Sequence, residues 1–205
     1  MAREVVDFCN RDLISDSNFD YKSEYHSEWF DAQFAFVDRD SLRKQLGMAF
    51  YQARFIYKLM VALRLTRAKF YGILKFQIIQ YASICEAVIK YVVDSKFKKE
   101  LKPRLLVVPP DQCKKCKKRK KRYRNGTMAD FTDVAVAQGV ISAEVGDRIR
   151  GLYKVRNNVH LLTAADIGYK PTLREAIEAY TLVKDMLSDV RSFYAKTTTG
   201  VSISL

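Results

Sequence analysis

Phe76-Gln77-Ile78-Ile79-Gln80-Tyr81-Ala82-Ser83-Ile84-Cys85-Glu86-Ala87-Val88-Ile89-Lys90-Tyr91 contains neither proline nor glycine, and its apolar residues fall on most sides of a helical wheel. A helix that is apolar nearly all round is the buried member of a bundle rather than a surface helix with one apolar stripe. The pattern extends from about Ile73 to Phe97, which predicts a long central helix. Glu86 breaks it, because Ile79, Ala82, Ile89 and Val93 share its face at helical offsets. A carboxylate there either reaches water at the margin of the stripe or is paired within a site.

On the N-terminal side, Asp40 or Ser41 can cap a helix running to about Arg67. Leu42, Leu46, Ala49, Phe50, Ala53, Ile56, Tyr57, Met60 and Leu63 follow its period, and a break or a bend is placed between Lys69 and Gly72. On the C-terminal side, Thr127 caps a short helix that Gly139 stops. Ser142 caps the next helix, whose buried stripe is Val145, Ile149, Leu152, Val155 and Val159. Thr172 and Glu175 form a Thr-x-x-Glu capping box. The helix it starts runs to about Ala195 with Ile177, Tyr180, Val183, Met186, Leu187, Val190 and Tyr194 inward. The fold class predicted is all-α, an antiparallel bundle of about five helices over residues 41–195. With 205 residues, 8 glycines and 4 prolines, one breaker-poor domain is expected.

Three segments stand apart from this body. Residues 1–40 form an acidic, aromatic lead-in, read as irregular and packed on the body through Phe19, Tyr21, Tyr25, Trp29, Phe30, Phe34 and Phe36. Its negative charge is suited to lie against the basic loop and tune access to it. Residues 98–127 are a long loop insertion in which Leu105 to Val108 reads as a short strand or a packed arm. Residues 196–205 read as a flexible tail.

The formal net charge is +13, unevenly placed. Residues 1–40 hold ten acids against four bases; the run Lys114, Lys115, Lys117, Lys118, Arg119, Lys120, Lys121, Arg122 and Arg124 holds nine bases and no acid. Such a run suits a polyanion, and Tyr123 adds a stacking face that favours RNA or single-stranded DNA. A solvated loop, or a contact for an acidic partner, fits the same residues.

No signal core opens the chain, and Lys75, Gln77, Gln80, Glu86 and Lys90 interrupt its most apolar stretch. Neither a membrane partner nor a spanning helix is expected, and a cytoplasmic protein with reduced cysteines is. There is no Walker loop, no dinucleotide-binding glycine pattern and no HExxH. Cys113 and Cys116 form a CxxC knuckle, half of the usual zinc pattern, with Cys9, Cys85, His26 and His160 as the remaining donors. No cofactor is expected, with zinc at Cys113 and Cys116 as the alternative.

Gly151-Leu152-Tyr153-Lys154-Val155-Arg156-Asn157-Asn158-Val159-His160-Leu161 carries the chemistry. Arg156 and His160 are four apart, one helical turn. An arginine forks two hydrogen bonds onto a phosphate, and a histidine moves a proton near neutral pH. A plain amphipathic helix with Arg and His on its exposed edge fits the spacing too.

Two of these stretches resemble one family. Phe76 to Tyr91 resembles the mid-bundle helix of HEPN domains, which often carries an inward acid, and Arg156-Asn157-Asn158-Val159-His160 resembles their Arg-Asn motif ending in His. The likeness spans residues 41–195 without the loop. The family usually places four to six residues between Arg and His, whereas three stand here. The resemblance implies an all-α, commonly homodimeric, metal-independent endoribonuclease of toxin–antitoxin or antiviral defence, with an antitoxin or other defence-system subunit as a further partner. It implies catalytic roles for Arg156, Asn157, His160 and Glu86, with Glu86 pairing Arg156. Family members that only bind RNA or nucleotides, and helical interaction subunits, are the alternatives.

Overall fold

Among the residues that the computed structural model describes, 26–63, 67–101, 104–106, 122–124, 126–159 and 168–198, the chain is an all-α helical bundle with one short ribbon. The elements are α1 (His26–Ala32), α2 (Asp40–Ala62), α3 (Arg67–Lys96), a 3-10 turn (Lys98–Glu100), β1 (Arg104–Leu106), β2 (Arg122–Arg124), α4 (Met128–Ala137), α5 (Ala143–Asn158) and α6 (Leu173–Thr198).

Helix α3 is the middle of the bundle and touches α2, α4, α5 and α6. Leu74, Ile78, Ala82, Cys85, Val88, Ile89, Val92 and Val93 are all fully buried, so its apolar character on several sides is used on several neighbours. Pairings along the helices fix their directions. Ascending positions of α2 meet descending positions of α3: the amide of Asp38, just before α2, donates to the Tyr91 hydroxyl at 2.9 Å, Phe50 stacks edge-on to Tyr81, and Gln77 donates to the Ala53 carbonyl at 3.0 Å. These two helices are antiparallel. So are α5 and α6, because Ser142 meets Asp189 and Arg148 meets Asp185. Tyr81 on Tyr180 and Phe97 on Phe193 make α3 and α6 run the same way.

Local chemistry accounts for the helix starts. Thr127 and Asp130 form a reciprocal capping box at α4, and Thr172 and Glu175 do so at α6. The Ser142 Oγ accepts from the Val145 amide, while its own amide and hydroxyl both donate to Asp189 at 2.9 Å. One residue thus caps α5 and ties it to α6. Gly139 ends α4 with φ 63°, a conformation costly to a side-chain-bearing residue.

Several expectations need correction. Helix α2 ends at Ala62 and α3 begins at Arg67, so no break falls between Lys69 and Gly72, and Gly72 lies inside α3. A helical glycine costs about 1 kcal/mol, which the burial of neighbouring Leu74 outweighs. Leu63 and Ile177 are exposed; Ala176, Ala179, Leu182 and Phe193 turn α6 inward in addition to Val183, Met186, Leu187 and Val190. The lead-in is not irregular throughout: α1 lies within it, and Phe30, Phe34 and Val37 are fully buried against α2. By length and composition alone Phe70–Lys96 is long and apolar enough to cross a membrane, contrary to expectation; half of that window is buried inside the bundle.

Gly47 marks how closely α1 approaches. A Cβ there would stand 2.0 Å from Asp31 Oδ1 and 3.0 Å from the Asp31 amide nitrogen, so only glycine lets the two helices meet at this point. In the insertion, Leu105 and Leu106 lie in β1, which pairs antiparallel with β2, Arg104 opposite Arg124 and Leu106 opposite Arg122. The remainder of the basic run, Cys113, Cys116, His160, residues 1–25 and the tail beyond 198 lie outside the described residues.

Candidate active site between the third and fifth helices

Helix α5 buries Val145, Ile149 and Leu152, and Val159 at its end is buried as well. Packing that stripe turns the adjacent edge, with Tyr153 and Arg156, toward α3. Three residues apart, the two side chains lie one above the other. Asn157, a further step round the helix, is exposed.

Across the interface stands Glu86, with 28% of its side chain exposed. The Tyr153 hydroxyl donates to Glu86 Oε2, and the Lys90 ammonium donates to Oε1. Both carboxylate oxygens are therefore engaged. The Arg156 guanidinium lies over the Tyr153 ring, 5.5 Å from its centroid. Lys90 in turn approaches the Phe131 ring of α4 at 5.8 Å. Glu86 is thus paired rather than reaching out to water. The expectation that it holds Arg156 directly is corrected: its oxygens are taken by Tyr153 and Lys90, and Arg156 reaches it through charge and through the intervening ring.

The electrostatics follow from these contacts. Burial raises the Glu86 pKa, but hydrogen bonds from Lys90 and Tyr153 and the charges of Lys90 and Arg156 together outweigh it, leaving the carboxyl below its ordinary 4.5. Burial, then the hydrogen bond to Glu86 and its charge, push the Tyr153 phenol upward, so it stays a proton donor at neutral pH. Because the folded Glu86 value is the lower one, the unfolded chain binds more protons in that window and stability rises with pH across it. The contribution is fully present above the ordinary 4.5 and is lost as pH falls through the folded value. Glu86→Gln is expected to flatten the acid limb of the stability curve below the ordinary 4.5, read by urea unfolding at stepped pH; an unchanged limb would mean the contacts do not favour the charged form.

Tyr153 and Lys90 were not singled out from the sequence. Their signals are Glu86-x-x-x-Lys90 and Tyr153-x-x-Arg156, both at helical spacing. Cys85, one of the donors considered for zinc, is buried in the core and its thiol is pushed up to about 12 by burial. It packs rather than ligates. Among the described residues no group of three or more His, Cys, Asp or Glu could hold a metal ion.

A groove of about 460 Å³ runs along the other edge of α5, floored by Leu152, Val155, Ala179 and Leu182. Its rim charges are satisfied internally: Arg148 pairs with Asp185 at 2.6 Å, Glu178 with Arg174 at 2.7 Å, and Glu175 caps α6. The convergent polar groups are therefore at Glu86 and not in this groove. A shallower depression of about 380 Å³ beyond Lys90 brings Arg39 to the same side of α3.

No protein-family model, curated protein or solved structure matches this chain.

Proposed function

We propose that the chain is a metal-independent endoribonuclease of the HEPN kind that acts on RNA as a homodimer in the cytoplasm, in toxin–antitoxin or antiviral defence. The observation that carries this reading is Arg156. It sits at the end of α5, on Tyr153, beside the paired Glu86, in a chain of net charge +13. RNA supplies its own nucleophile, the 2′-OH, which DNA lacks. One histidine, His160, takes the 2′ proton as the 2′-oxygen bonds to phosphorus. The bond from phosphorus to the 5′ oxygen breaks, and that oxygen receives a proton from the His160 of the second copy. Arg156 holds the phosphate and offsets the charge that develops on it, and Asn157 orients it. The products are a 2′,3′-cyclic phosphate and a 5′-hydroxyl. The basic run from Lys114 to Arg124 supplies affinity for the backbone and no sequence preference.

The test is cleavage of labelled single-stranded RNA, tRNA included, by wild type and His160→Ala, both in EDTA. Wild type is expected to cut with cyclic-phosphate ends, and His160→Ala to fall by at least about a hundred-fold. Cleavage that survives the substitution would overturn the site. The short Arg-x3-His spacing favours a second reading, a module that binds RNA without cutting it; RNA bound by both proteins and cut by neither would establish that one.

A further inference from the structure

We infer that Tyr153 is the positioning residue of this site: its hydroxyl, anchored on Glu86, fixes the ring beneath Arg156 so that the guanidinium meets an RNA phosphate already aimed, its fork tied to no acid among the described residues. The inference deepens the ribonuclease reading and rests on it.

The three arginines of α5 make the contrast. Arg148 is tied to Asp185 at 2.6 Å, and Arg150 to Asp133 at 2.6 Å and Asp147 at 2.5 Å. Arg156 alone of the three forms no ion pair with an acid among the described residues, and it rests on an aromatic face instead. A carboxylate bonded directly to Arg156 would orient it, but would also occupy the fork that a phosphate needs. Placing a tyrosine between them separates the two tasks. The ring orients the guanidinium from below, and the carboxylate behind the ring adds negative charge without taking an N–H.

The anchor is itself held. A phenol with one committed acceptor keeps its ring plane. Lys90 donates to the other oxygen of Glu86, so the carboxylate is held on both sides. Lys90 is braced in turn by Phe131. The chain of contacts thus runs α4, α3, α5, three rigid elements, as an aimed site requires.

Tyr153→Phe keeps the ring and removes only the hydroxyl. In the full chain, the Nε–H resonance of Arg156, whose guanidinium lies over the Tyr153 ring in the wild type, is expected to move toward the chemical shift of an arginine without an aromatic neighbour, because misorientation rather than lost packing is at issue. On RNA, kcat is expected to fall about ten- to a hundred-fold with KM moving less than about three-fold, since orientation acts in the transition state. Glu86→Gln, whose amide oxygen still accepts from the phenol, should lose less than Glu86→Ala. A Tyr153→Phe protein with a wild-type Arg156 Nε–H chemical shift and wild-type kcat would overturn the inference and leave Tyr153 as packing. Equal losses in Glu86→Gln and Glu86→Ala would overturn the anchor. A wild type that cuts no RNA would sink the nuclease reading, and the Arg156 resonance would still decide whether Tyr153 positions it.

Discussion

A chain begun at Arg39 is expected to lose its cooperative fold. Phe30, Phe34 and Val37 are completely buried, and they cover Phe50, whose ring centroid is 5.4 Å from that of Phe30 and 6.3 Å from that of Phe34. At about 1.5–3 kcal/mol for each buried side chain, their removal forfeits about 5–9 kcal/mol. A domain of this size has about 5–15 kcal/mol in all. The deletion also strips the carbonyl and side-chain oxygens of Gln33 from Arg191, which is partly desolvated and would be left without them. Far-UV circular dichroism and thermal melting of the truncated chain read the outcome; wild-type helicity with a cooperative melt would show that α1 is an appendage. The consequence bears on the lead-in's charge. Deleting residues 1–38 cannot isolate an electrostatic effect on nucleic-acid affinity, because it removes core together with acid. Charge reversal at exposed positions is the cleaner experiment.

How much of this was legible in the sequence depends on the range of each interaction. The capped starts of α4, α5 and α6 were readable because Thr127 with Asp130, Ser142 with Val145, and Thr172 with Glu175 all act within one turn. Helix α3 was readable because its apolar residues cover most of its surface. The start of α3 was misplaced because a glycine at position 72 looks like punctuation, while burial of its neighbours overrides so small a preference. Helix α1, seven residues long, has too little periodicity to announce itself and persists through its packing on α2. Glu86 was conspicuous as an acid on an apolar face. Tyr153 was not, since a tyrosine on an amphipathic helix is ordinary until the partner across the interface is known. What links Glu86 to Arg156 is a contact between residues 67 positions apart, and no local pattern encodes it.

Arg156→Ala is expected to abolish most RNA cleavage while leaving the bundle intact. On the proposed ribonuclease reading Arg156 would bind the phosphate and offset developing charge, and removing such a group costs about a hundred- to a thousand-fold in rate, which is about 3–4 kcal/mol of transition-state stabilisation. Stability should change by no more than about 1 kcal/mol, because the side chain is partly exposed and an ordinary substitution of that kind stays in this range. The neighbouring arginines behave oppositely. Arg150 joins α5 to Asp133 of α4, so its replacement loosens that interface and leaves the site's fork in place. Arg156→Lys separates charge from geometry: an ammonium keeps the positive charge over the ring but lacks the planar fork, so it should recover only part of the rate. Recovery by lysine to the wild-type rate would mean that Arg156 works as a bare charge, and Tyr153 would then have nothing to aim. A rate near that of alanine would mean that the fork is what matters, which is the arrangement for which an arginine on an anchored ring, paired with no acid among the described residues, is suited.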